Sequence, residues 1–146
     1  MPKKLSSRKK LTRQEEQNLD IEIGFMEGVL RRDPSYLDAL QLLGDDYTRR
    51  GRFTEGLKVD EQLVELRPAD PMIHYNLACS YSLTEQCEAA FESLNRALDL
   101  GYHDFKWLAR DPDLANLRRH QLYQKIKTRL RSIRREFTDE FGTEAE

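Results

Sequence analysis

Large apolar residues along this chain recur at three- and four-residue spacings and do not alternate, which predicts helices from end to end. The first series, Leu19, Ile21, Ile23, Phe25, Met26, Val29 and Leu30, predicts a helix over 17–32 that Asp33-Pro34 stops. A second series over 37–50 (Leu40, Leu43, Tyr47) runs into Gly51, and a third over 53–66 (Leu57, Val59, Leu63, Val64, Leu66) into Arg67-Pro68. The plan then repeats, with helices expected over 71–83 and 85–100, the first opened by Asp70-Pro71 and the second closed by Gly101. Beyond it a short helix is expected over 105–110, cut by Asp111-Pro112. A long amphipathic run follows from Asp113 to about Phe137, carried by Leu117, Tyr123, Ile126, Leu130, Ile133 and Phe137.

The copying is literal. Residues 37–70 and 71–104 are blocks of equal length, and overlaying them places Leu40 on His74, Leu43 on Leu77 and Gly44 on Ala78. Tyr47 falls on Tyr81, Gly56 on Ala90 and Leu63 on Ala97. Self-similarity at this period, with small residues where paired helices must approach, predicts helical hairpins stacked into a solenoid. The first helix fits as the second half of an incomplete repeat. In the second block Glu85 stands where the first has the turn glycine, so a tighter or differently shaped hairpin is expected there.

Composition narrows this picture. Charged residues make up 34% and mean hydropathy is −0.78, so no stretch approaches the roughly 18 apolar residues of a membrane-spanning helix. The basic start has no apolar core behind it and does not read as a secretory signal, which makes the cytoplasm the expected compartment. The charge of −2 conceals an asymmetry: residues 1–13 carry six bases, residues 118–135 carry eight, and neither stretch holds an acid. The body between them, 14–117, carries 10 bases against 21 acids. Residues 1–16 are expected to be a basic disordered tail, 17–137 the helical domain and 138–146 an acidic disordered tail. Cys79 and Cys87 fall about 8 Å apart along a hairpin by helical rise, too far for a disulfide, and are expected reduced. Neither they nor the three histidines show metal-ligand spacing, and no cofactor is implied.

These residues resemble the tetratricopeptide repeat family. Its alternation of large, small and aromatic positions reads here as Leu40, Leu43, Gly44, Tyr47, Gly56, Asp60, Leu63 and Pro68, then as His74, Leu77, Ala78, Tyr81, Ala90, Leu94, Ala97 and Tyr102. Asp60, His74 and Tyr102 depart from the pattern without breaking its period. The resemblance implies an all-α superhelix: two full repeats, an N-terminal half-repeat helix and a long C-terminal capping helix. It also implies a concave groove that receives a peptide or a partner's helix, with no catalysis. Carried over residue by residue, the groove would use Gln41, Leu42 and Asp45, then Tyr75, Asn76 and Cys79, then Lys106 and Arg110. Asn76, Lys106 and Arg110 also match three members of the family's clamp for a C-terminal carboxylate. Gln41 and Asp45 stand where its first lysine and asparagine belong, and Asp45 would repel the anion.

A second reading assigns nucleic acid or an anionic surface to the basic stretch, through Arg118, Arg119, Lys125, Lys127, Arg131, Arg134 and Arg135. Tyr123 is its single aromatic and the acidic body repels polyanions, so nucleic acid is the weaker expectation. An enzyme is not expected: there is no phosphate-cradling glycine loop and no nucleophile–histidine pairing. The apolar stripe of the last helix leaves self-association open.

Overall fold

In the computed structural model, which describes residues 10–141, helix α1 runs Arg13–Arg32 and begins four residues ahead of the expected Gln17. The reason is a reciprocal cap. The Thr12 hydroxyl accepts from the Glu15 N–H at 3.1 Å, and the Glu15 carboxyl accepts from the Thr12 N–H at 2.8 Å. The expected tails over 1–9 and 142–146 lie outside the described residues.

Two hairpins follow: α2 (Leu37–Arg50) with α3 (Phe53–Leu66), then α4 (Pro71–Leu83) with α5 (Cys87–Asp99). Each helix packs on the next, α1 on α2, α2 on α3, α3 on α4 and α4 on α5, which is the expected stack. Gly51 ends α2 at φ 85°, and Glu85 ends α4 in the same left-handed conformation at φ 62°. The Arg52 N–H donates to the Tyr47 carbonyl and the Gln86 N–H to that of Tyr81, both at 2.8 Å. The two hairpins therefore turn alike. Neither the tighter nor the differently shaped turn expected at Glu85 forms, because helix packing holds a glutamate in a conformation disfavoured by roughly 1–2 kcal/mol.

The core falls into two clusters. One gathers Ile23 of α1, Leu40, Leu43 and Tyr47 of α2, Val59 and Leu63 of α3, and Ile73 of α4. Gly44 and Gly56 let α2 and α3 close: a Cβ at Gly44 would lie 3.3 Å from Val59, and one at Gly56 3.2 Å from the Thr48 hydroxyl. The other cluster joins Tyr75, Ala78 and Cys79 of α4 and Ala90, Leu94 and Ala97 of α5 to Leu108, Leu114, Leu117, Tyr123 and Ile126. Tyr102, at the family's proline position, stacks on Tyr75 with ring centroids 4.2 Å apart. His74 donates from Nε2 to the Pro68 carbonyl at 2.7 Å, which lets it occupy an apolar position.

Asp60 has a comparable explanation. It is buried on α3, and its Oδ2 accepts from the Ser80 hydroxyl of α4 at 2.5 Å, so the polar residue at an apolar site ties the two repeats together. Asp60→Ala is expected to destabilise the chain by about 1–3 kcal/mol, because it strands the buried Ser80 hydroxyl. Adding Ser80→Ala should recover about 1 kcal/mol of that loss in urea titration, and strictly additive losses would contradict the link.

The end of the chain differs from expectation. After α6 (Phe105–Arg110) comes a 3₁₀ turn, Pro112–Leu114, then one helical turn, α7 (Ala115–Arg118), and only then α8 (Tyr123–Phe141). The single long helix expected from Asp113 is thus broken at 119–122. His120 makes the break: its Nδ1 accepts from the Leu122 N–H at 3.1 Å, replacing a helical bond. Leu117 and Tyr123 can then both be buried on the stack. In the other direction α8 runs through Thr138–Phe141, where an acidic tail was expected.

Candidate functional site

Of the first-repeat positions on α2, Gln41 and Asp45 face residues of α4. Leu42 is 36% exposed and Gln41 and Asp45 are half-buried beside it. Across from them on α4 lie Met72 and Asn76. Gln41, Asp45, Met72 and Asn76 share a crevice of about 60 Å³, floored by Asp60 and Leu63 of α3 and closed by Asp70 and Ile73. Asp70 caps α4, accepting from the Met72 N–H at 2.9 Å, and so sets the height of Met72 at the crevice edge. The Asn76 Oδ1 is buried and has no hydrogen-bond partner. Three carboxyl groups, those of Asp45, Asp60 and Asp70, make the crevice acidic.

Tyr75 and Cys79 do not join it. Both are fully buried, because the turn after α6 lies across their side of α4. The Tyr75 hydroxyl donates to Asp111 Oδ2 at 2.8 Å, and the Cys79 thiol reaches the same oxygen at 3.7 Å. Asp111 Oδ1 accepts from the Asp113 N–H at 2.9 Å, and its carbonyl accepts from Arg118 Nη2 at 2.6 Å. Further along α4, the Ser82 carbonyl accepts from Asn116 and its hydroxyl from the Leu117 N–H. The chain's own turn therefore occupies the groove face of the second repeat. Burial, reinforced by Cys79 and Asp111, pushes the Tyr75 phenol far above its ordinary value. Asp111-Pro112 reads in the sequence as a helix stop, and the D-P-D spacing that builds its capped turn was the signal for more.

Lys106 and Arg110 stand exposed on α6 and do not line the crevice. The Arg110 guanidinium lies over the Trp107 ring, 5.5 Å from its centroid. Of the five clamp positions, Gln41, Asp45 and Asn76 come together while the two cations stay on another helix.

The basic residues are also divided. Arg118 is on α7, where its guanidinium holds the carbonyls of Leu108 and Asp111. Arg119 lies in the turn and donates to Asn116 at 2.5 Å. Lys125, Lys127, Arg131, Arg134 and Arg135 are exposed on α8, while Arg129 is anchored to Asn95 and to Asp99 at 2.6 Å. Cys87 is half-buried, and burial followed by the charges of Glu88 and Glu85 pushes its thiol up. Among the described residues no histidine, cysteine and carboxylate group has the geometry of a metal site, and no helix is long and apolar enough to cross a membrane.

No family model matches the chain. It is 33% identical over 86 residues to a chloroplastic protein of Arabidopsis thaliana, covering 57% of this chain and 26% of that protein. It is 31% identical over 90 residues to a peroxisomal targeting signal receptor of Komagataella phaffii, covering 60% of this chain and 16% of the receptor. The chain thus spans about a quarter or less of these curated relatives. Among solved structures it is similar to MamA (41-end) from Desulfovibrio magneticus RS-1, with a TM-score of 0.58 and 23% identity over 80% of this chain and 68% of that one. That likeness shows the fold. One relative is chloroplastic by name, so the relatives lend the cytoplasmic expectation no support.

Proposed function

For a chain that folds as a tetratricopeptide-type stack of helical hairpins, we propose a non-catalytic interaction module that holds an extended polypeptide segment along α2 and the adjoining edge of α4. The observation that carries this reading is the crevice that Gln41 and Asp45 of α2 share with Met72 and Asn76 of α4, with Leu42 exposed next to Gln41 on α2. Gln41 and Asn76 bring polar side chains to the backbone of a bound segment, and Leu42 supplies apolar contact one position along α2. The acidic lining makes that segment neutral or basic and disfavours a terminal carboxylate, so the site is not a carboxylate clamp. One relative is by name a receptor for a targeting signal, which agrees with recognition of a segment of another protein. With the second-repeat face closed by Asp111, the footprint is short and the affinity belongs in the micromolar range.

Selection from a displayed random-peptide library tests this. The peptides enriched should be neutral or basic, and Leu42→Glu should weaken them at least about tenfold, the loss expected of a contact at the centre of an interface. Asn76→Ala should weaken them less, and Glu92→Lys on α5 should leave them unchanged. Peptides that bind Leu42→Glu and the unmodified chain equally would remove the groove from consideration.

A further inference from the structure

We propose that the cleft between α8 and the start of α6 receives an acidic segment of another protein, one that carries large apolar side chains among its carboxylates. The cleft, of about 460 Å³, is walled by Asp104, Phe105 and Lys106 on one side and by Ile133, Arg134 and Phe137 on the other. Its two walls belong to separate elements. α8 is fastened to α5 through Arg129, whose guanidinium donates to the Asn95 carbonyl at 3.1 Å and to Asp99 at 2.6 Å. Ile133 and Phe137 continue the apolar stripe of Tyr123, Ile126 and Leu130. Those three pack into the second core cluster, whereas Ile133 and Phe137 line the cleft instead, and Phe137 is 49% exposed. The terminal helix of a solenoid ordinarily turns a polar face outward. An apolar cleft at this end of the stack is unfavourable while water fills it.

Charge identifies the occupant. Lys127, Arg131 and Arg134 follow one another at steps of four and three, which sets them in one row along α8, on the flank of the apolar stripe that borders the cleft. Lys106 stands on the opposite wall. All four are exposed, and among the described residues none of their side chains forms a hydrogen bond or an ion pair. The acid at the rim, Asp104, is engaged in capping α6, where it accepts from the Trp107 N–H at 3.2 Å. Glu136 and Glu140 fall on the other flank of the stripe, the side of Arg129. The cleft thus joins apolar walls to a row of uncommitted cations, the complement of a segment both acidic and apolar. Other occupants fit less well. A second α8 brings the same cations and is repelled. Residues 142–146, which follow α8, include Glu144 and Glu146 but no large apolar side chain. A nucleic acid meets the net negative body of the chain, with 21 acids against 10 bases over 14–117. An anionic bilayer is too flat to enter between two walls.

Selection from a displayed library of short peptides, built of acidic, large apolar and small residues alone, tests this. Such a library holds no basic peptide and so leaves the acidic crevice between α2 and α4 out of play. Binders should be enriched, and fluorescence anisotropy should show their affinity for Arg134→Glu at least about tenfold weaker, because a carboxylate then stands against their own. Lys125→Glu makes the same change of net charge away from the cleft and should alter the dissociation constant less than about twofold. Leu42→Glu should leave it unchanged, which separates this cleft from the crevice. Both α8 variants should melt with the unmodified chain, since both side chains are exposed. Equal weakening by Arg134→Glu and Lys125→Glu would reduce the effect to net charge and overturn the proposal. A library that yields no binder would do the same. So would tighter binding of oligodeoxythymidylate or of phosphatidylserine vesicles than of the best peptide at physiological salt. Tighter peptide binding after removal of residues 142–146 would make the chain's own end the occupant, and also overturns it.

Discussion

Asp111→Ala is expected to lose about 3 kcal/mol or more of stability, with the melting temperature falling by roughly 6–12 °C for a chain of this size. Asp111 is completely buried and receives Tyr75, the Cys79 thiol and the Asp113 N–H on one carboxyl group. Alanine would strand all three in a site that water does not reach. It would also loosen the 3₁₀ turn, whose Asp111 carbonyl would still accept from Arg118. Asp111→Asn retains one oxygen and should fall between alanine and the native chain. Titration with a thiol reagent gives a local readout. In the native chain Cys79 is fully buried and should resist, whereas Cys87, half-buried, should react. In Asp111→Ala both should react before global unfolding. A variant within about 1 kcal/mol of the native chain, with Cys79 still protected, would mean that apolar packing alone closes the second repeat.

The second large effect is one of pH. Asp46 of α2 is 1% exposed, and its carboxyl group is pushed up from 3.8 to about 7. Burial contributes most, followed by a hydrogen bond with Glu22 of α1 and the charge of that residue; Arg49 opposes the rise and Asp45 adds to it. A carboxyl group that binds its proton more tightly folded than unfolded stabilises the fold fully below about pH 4. That stabilisation is lost as pH rises through about 7. The seat of α1 should therefore be firmest in mild acid and weakest above neutrality, by a few kcal/mol across that interval. Asp46→Asn keeps the hydrogen bond to Glu22 without a charge to release. It should unfold at nearly the same denaturant concentration at pH 5 and pH 8, and should exceed the native chain in stability at pH 8. If the native chain is equally stable at both pH values, or the variant is the weaker at pH 8, the shared proton is not there.

Much of the stack was legible in residues alone, and the misses have identifiable causes. The early start of α1 is written in Thr12 and Glu15, at capping-box spacing, amid lysines and arginines that on their own favour a solvated tail. The turn at Glu85 was misjudged because a glutamate's local preference argued against φ 62°, and only packing along the whole of α4 and α5 overrides it. The break at His120 falls in the six-residue gap between Leu117 and Tyr123, which is two helical steps of three, so the apolar pattern reads straight through it. The candidate site was half legible. Gln41, Asp45 and Asn76 meet where the repeat positions place them. Tyr75 and Cys79 are removed by a carboxyl group more than thirty residues further along the chain.

By itself the sequence determined the helices, their pairing into hairpins and the order of the stack. Those depend on backbone hydrogen bonds and apolar spacings within a turn or two, and every residue declares its part locally. Only the tertiary structure decided which stretch of the repeat positions stays open, which basic residues are already engaged, and that Asp46 is buried beside Glu22 of α1. Each of those outcomes turns on polar groups that meet across long separations in the chain, where the free energy depends on whether a partner is present within about 3 Å. No spacing rule carries that information.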